Sequence, residues 1–329
     1  MKKLRVILPA ILTLAVSTSA AVTGTVAWFT ATRLRTVTMN QITVVNPEEG
    51  LNLVKCKNVA NTKVTGANQS TGVLDTKDTI PTITHANDGT NQGVLRDASV
   101  NLSSTPVVYR SVLGEEGNIT GFEPIGSDFT VKDDKKYNNL DVYYVTQFKL
   151  SFTIDREDTS VDTCLFFDPE ASSTAALTAV VDNTNTNYVY KSLRIGLKTS
   201  TNWLVWAPLT DDDADATNES ANPKEYAPRV VTGNNTANVA DVTSTKVIKG
   251  KYEPDDTDAK FTETEGKLAA TAKNFTEYLG ILDDTTELDV DVFTWFEGTD
   301  TNCVNAQFQS LVSTMTATLK FISRRVTQA

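Results

Sequence analysis

Apolar and polar residues alternate with a period of two along much of this chain, and that rhythm predicts β-strands with one face against a core. In VYYVTQFKLSFTI, Val142, Tyr144, Phe148, Leu150, Phe152 and Ile154 share one face, while Gln147, Lys149, Ser151 and Thr153 share the other. SLRIGLK brings Leu193, Ile195 and Leu197 together, and TNWLVWAPL follows with Trp203, Leu204, Val205 and Trp206. VDVFTWF sets Val290, Val292, Thr294 and Phe296 against Asp291, Phe293 and Trp295, and MTATLKFIS turns Met315, Ala317, Leu319 and Phe321 inward. With TVTMNQITVV at 36–45, TPVVYRSVL at 105–113 and STKVIKG at 244–250, the economical architecture is all-β, a jelly roll or β-sandwich.

Helical spacing is scarce. SSTAALTAVV at 172–181 and GKLAATAKNFTEYLGIL at 266–282 are the two segments that fit it, and they predict short helices at the sandwich edge. Polar tracts at 57–104, 114–139 and 207–243, rich in Thr, Asn, Asp and Gly, read as long loop insertions. The N-terminus has a basic start, then an apolar run, then small residues up to Ala27, which is the order of a secretory signal peptide. The expected organisation is therefore a signal peptide over 1–27, an N-terminal strand within 28–45 and a jelly-roll domain over 46–329. The address that follows is secreted or cell-surface, with membrane contact only through the signal segment before cleavage.

Composition narrows the partners. Thirty basic against 41 acidic residues give a net charge of −11, and removal of Lys2, Lys3 and Arg5 with residues 1–27 takes it to −11 − 3 = −14. A field of that sign disfavours nucleic acid and favours divalent cations. Three cysteines, Cys56, Cys164 and Cys303, form no Cys-x-x-Cys pair and allow at most one internal disulfide; three small buried thiols are an equal reading.

Candidate chemistry is thin. His85 is the one histidine, which excludes a His-Glu-x-x-His zinc site, and no Gly-x-Ser-x-Gly elbow accompanies it. Asp211, Asp213, Asp215, Thr217 and Glu219 put oxygens at alternating positions, as a calcium loop does, though without the sharp-turn glycine of an EF-hand. Calcium is thus the single candidate cofactor. After VDVFTWF comes an acidic elbow, Glu297-Gly298-Thr299-Asp300, read as a structural turn in which carboxylates accept backbone hydrogen bonds and Gly298 takes a positive φ. No residue is expected to be catalytic.

Two stretches carry a resemblance: TGTVAWFTAT at the end of the signal segment, and VFTWFEGTDTNC followed by ATLKFIS near the C-terminus. Together they resemble the TasA/camelysin group of secreted bacterial matrix proteins. The resemblance implies a jelly roll that polymerises into extracellular fibres, the first strand of one subunit filling a groove in the next. Residues 30–45 suit that role, with Val37, Met39, Ile42 and Val44 as the apolar positions of the donor strand and one register slip between Met39 and Ile42 that a bulge would absorb. The partner is then the protein itself, with a minor related subunit as a second candidate. The metal-dependent protease activity ascribed to some camelysins does not carry over to a chain with one histidine. The competing expectation is a monomeric secreted adhesin or carbohydrate-binding module, suggested by the long Thr/Asn/Asp loops.

Overall fold

A computed structural model describes residues 37–45, 50–76, 81–84, 94–113, 119–126, 142–155, 160–168, 173–176, 192–207, 247–249, 264, 266–300, 303 and 315–328. It is an all-β molecule built on a two-sheet sandwich. In chain order the strands of the first sheet are β1 (Val37–Val45), β3 (Lys63–Thr65), β4 (Thr82–Thr84), β11 (Asp162–Phe167), β12 (Ser173–Ala176), β16 (Tyr278–Ile281) and β18 (Met315–Val326). Their spatial order is β16-β11-β18-β1-β4-β3, with β12 also on β18. The second sheet runs β15-β14-β13-β17-β10-β2, using β2 (Gly50–Ala60), β10 (Thr146–Asp155), β13 (Leu193–Lys198), β14 (Trp203–Ala207), β15 (Val247–Lys249) and β17 (Leu288–Phe296).

Alternation does the folding here. Phe148, Leu150, Phe152 and Ile154 of β10, Leu193, Ile195 and Leu197 of β13, and Val290, Val292 and Phe296 of β17 are buried against Leu165 and Phe167 of β11 and Ala317, Leu319 and Phe321 of β18. Aromatic rings cross between the sheets: Phe152 lies 4.9 Å from Phe321, and Phe167 lies 5.3 Å from Trp206. Such tilted and edge-on pairs add to the burial of their area.

A third layer covers the outside of the second sheet. Strands β6 (Ala98–Asn101), β7 (Val107–Leu113) and β8 (Ile119–Gly126) form a small antiparallel sheet. Ala98, Val100, Leu102 and Val108 from it and its neighbouring turn bury Phe293 and Trp295 of β17 together with Tyr144, Val145 and Val205. A two-stranded parallel pair, β5 (Val94–Leu95) with β9 (Val142–Tyr143), leads into this layer. A smaller core lies outside the first sheet, where Leu268 and Ala272 pack on Cys164, Phe166, Ile322 and Val326.

Four expectations are corrected. Ser173–Ala176 is a strand, because its backbone pairs with β18 from Thr318 back to Met315, and that pairing overrides alanine's helical preference. Within 266–282 the chain makes only a 3-10 turn, Ala270–Asn274, which ends when Phe275 turns extended (φ −65°, ψ 146°); Tyr278–Ile281 then pairs with β11. The tracts 57–104 and 114–139 are not uninterrupted loops: they hold the end of β2, β3 to β6 and β8. The third tract, beyond Ala207, lies outside the described residues. Tyr144 leaves the face of Phe148 because regular pairing breaks between β9 and β10, and it joins the outer core instead.

Candidate functional site

The N-terminal strand occupies a lane inside the first sheet. β1 runs parallel to β18, with Val37 opposite Met315, Met39 opposite Ala317, Ile42 opposite Leu319 and Val44 opposite Phe321. The pairing shifts between Met39 and Gln41, so Asn40 is an unpaired extra residue, a bulge at the place where the apolar alternation slips. On its other side Thr38 and Met39 pair antiparallel with Thr84 and Ile83 of β4. Ala317, Leu319 and Phe321 are each at most 1% exposed and belong to the sandwich core, so Met39, Ile42 and Val44 stand in register with core residues.

The far end of the lane is stopped. Leu268 forms a parallel bridge with Val326, its N–H donates to Arg325 O at 2.8 Å, and Thr327 N–H donates back to Leu268 O at 3.0 Å. One edge of β18 is thus shared between β1, up to Ile322, and Leu268 beyond it.

The acidic elbow is buried. Glu297 is 1% and Asp300 2% exposed. One Glu297 oxygen accepts the Trp295 indole N–H at 2.8 Å; the other accepts the Thr299 hydroxyl at 2.7 Å and the Thr299 N–H at 3.1 Å. Asp300 pairs with the guanidinium of Arg194, itself buried on β13. Glu297 N–H donates to Ser192 O and Gly298 N–H to Ala98 O, both at 2.7 Å, so the turn ties β13 to the third layer. Gly298 does not adopt positive φ. Glycine is needed there for a different reason: a Cβ would sit 2.8 Å from the Phe122 ring and 2.9 Å from Ser111 Oγ. These carboxylates are engaged by the chain's own donors, an arrangement that fixes a turn.

Reading the sequence did not single out Arg194 as a partner of Asp300. A cation between Leu193 and Ile195, in a strand apolar on both sides, was the available signal, because a buried charge demands a partner. The walls of the lane, Ala317, Leu319 and Phe321, were legible as inward residues but not as neighbours of β1.

Asp211, Asp213, Asp215 and Glu219, and also His85, lie outside the described residues, as does the segment 1–27. Among the described residues no group of three or more His, Cys, Asp or Glu is placed to hold a metal ion, and no helix is long and apolar enough to cross a membrane. All three cysteines are buried thiols. Burial pushes the thiols of Cys56 and Cys164 up to about 12. No protein-family model, curated protein or solved structure matches the chain.

Proposed function

We propose that this is a secreted structural protein whose copies join into extracellular filaments or a surface matrix by strand addition. The observation that carries the reading is the position of β1: the first described strand, which precedes the other strands of the sandwich in the chain, fills an interior lane of the first sheet parallel to β18. A strand so placed can be given to a neighbour while the lane it leaves receives the strand of another copy. The main-chain hydrogen bonds are the same in either case. Donor strand and receiving lane are different surfaces, so the contact is heterologous, and repetition without closure yields a filament.

The test is negative-stain electron microscopy of the protein beginning at Trp28 beside a version beginning after Val45. Filaments from the first and none from the second are expected. Globular particles from both would remove self-assembly and move the weight to a monomeric adhesin.

A further inference from the structure

Resting on the strand-addition reading, we infer that the lane recognises its strand as two separate pairs of apolar residues. Val37 and Met39 form the first, Ile42 and Val44 the second, and the spacing between them decides which strands fit. The partner this selects is a second copy of this chain, or a subunit whose N-terminal strand carries the same two pairs.

The lane itself shows why the spacing matters. The described pairing runs from Val37 opposite Met315 to Val45 opposite Ile322, and the Leu268 bridge at Val326 takes the same edge of β18 beyond it. Within those limits eight residues of β18 face nine of β1, and Asn40 is the surplus one. The surplus is not neutral. Val37 and Met39 are at odd positions and Ile42 and Val44 at even ones, so without a bulge Ile42 and Val44 would stand opposite Lys320 and Ile322 and lose the register of Leu319 and Phe321. The bulge restores the register: Met39, Ile42 and Val44 oppose Ala317, Leu319 and Phe321 of the sandwich core, and Val37 opposes Met315, two residues before Ala317 on β18. Each pair also has its own support. The first is flanked by β4 as well as β18, because Thr38 and Met39 pair with Thr84 and Ile83, whereas pairing with β4 does not extend to the second.

The lane is held in place independently of its occupant. The opposite edge of β18 is paired with β12 from Met315 to Thr318 and with β11 from Phe321 to Val326. Its C-terminal end is buried with Leu268, Ala272 and Cys164 in the small outer core. A strand that enters is therefore read against fixed positions.

Three variants of the chain beginning at Trp28 test the spacing. Asn40→Ala keeps the residue count and should assemble as wild type does. Deletion of Asn40 removes the surplus residue and leaves both pairs in register on a straight strand, so filament yield should stay within about twofold. Deletion of Asn40 together with Gln41 slips the second pair to the other face, and yield should fall at least about tenfold, since the apolar anchors leave the register of Leu319 and Phe321. Folding is separated from assembly by mixing. The double deletion keeps an intact lane, so added to wild type it should be incorporated at filament ends and shorten them.

Equal yield from the double deletion would overturn the inference. So would loss of assembly in the single deletion with Asn40→Ala unaffected, because the bulge and not the spacing would then be what is read. If wild type forms no filaments, strand addition itself fails, and the spacing is read within one chain by thermal unfolding. There the double deletion should melt below both other variants, and coincident melting would overturn it.

Discussion

At Gly298 the elbow has room for a hydrogen and nothing larger, because the Phe122 ring is fully buried and cannot retreat from a methyl group. Gly298→Ala should cost about 1–3 kcal/mol, the usual penalty for an overpacked core site. Gly121→Ala, on the neighbouring strand β8 with nothing within 4 Å of the added Cβ, should be close to neutral. Urea unfolding of the two variants side by side checks this, and equal costs would mean that the elbow is looser than its contacts say. Asp291 supplies a prediction with a pH axis. It stands between Lys149 and Lys198 on the outer face of the second sheet. Burial raises its pKa, opposed by Lys149, by a hydrogen bond from Gln147 and by Lys198. A carboxyl whose folded pKa lies above its unfolded value binds a proton more readily when folded, so its contribution to stability falls as pH rises. Wild type should therefore lose ground against Asp291→Asn between about pH 3 and about pH 6, where aspartate titrates. Unfolding curves across that range decide it; a difference that stays constant or moves the other way would mean that the lysines outweigh burial.

Strands whose burial is one-sided were easy to find, and the rest were not. β10 and the stretch Ala317–Phe321 of β18 alternate cleanly because one face meets the sandwich core. β17 is apolar on both faces in its second half, and the reason appears only once β6 to β8 are seen to cover Phe293 and Trp295. Of that third layer β7 was legible in TPVVYRSVL, whereas β6 and β8 were hidden within polar tracts, β8 because it carries Gly121, Pro124 and Gly126, residues that read as turns. The alanines and leucines in and around β12 and β16 satisfy helical spacing locally, while what fixes these segments as strands is pairing with distant partners, β18 and β11. The bulge in β1 was legible from the slip in its own alternation. Its parallel partner was not, because nothing in 36–45 names a strand that begins at Met315. At the elbow the acidic turn stood out in sequence, and its network with Trp295, Thr299 and Arg194 required the fold.

Over the whole molecule, the acidic surplus of the chain bears on assembly. The full chain carries −11, and −14 without Lys2, Lys3 and Arg5, so copies brought together in the proposed filament would repel one another. Under the proposed strand addition each junction would form against that repulsion. Salt screens it: raising sodium chloride from about 0.02 M to about 0.2 M shortens the screening length from roughly 20 Å to roughly 7 Å. The concentration needed for filaments from the chain beginning at Trp28 should fall across this range, as measured by sedimentation of polymer from monomer. A threshold that rises with salt would instead mean that attraction between charged groups holds the subunits together. Calcium separates screening from binding, because at equal ionic strength it should match magnesium unless a stretch such as Asp211, Asp213, Asp215 and Glu219 holds it specifically. A much lower threshold in calcium, abolished by Asp213→Asn and Asp215→Asn, would make that stretch part of the junction, whereas equal thresholds would leave screening as the full account.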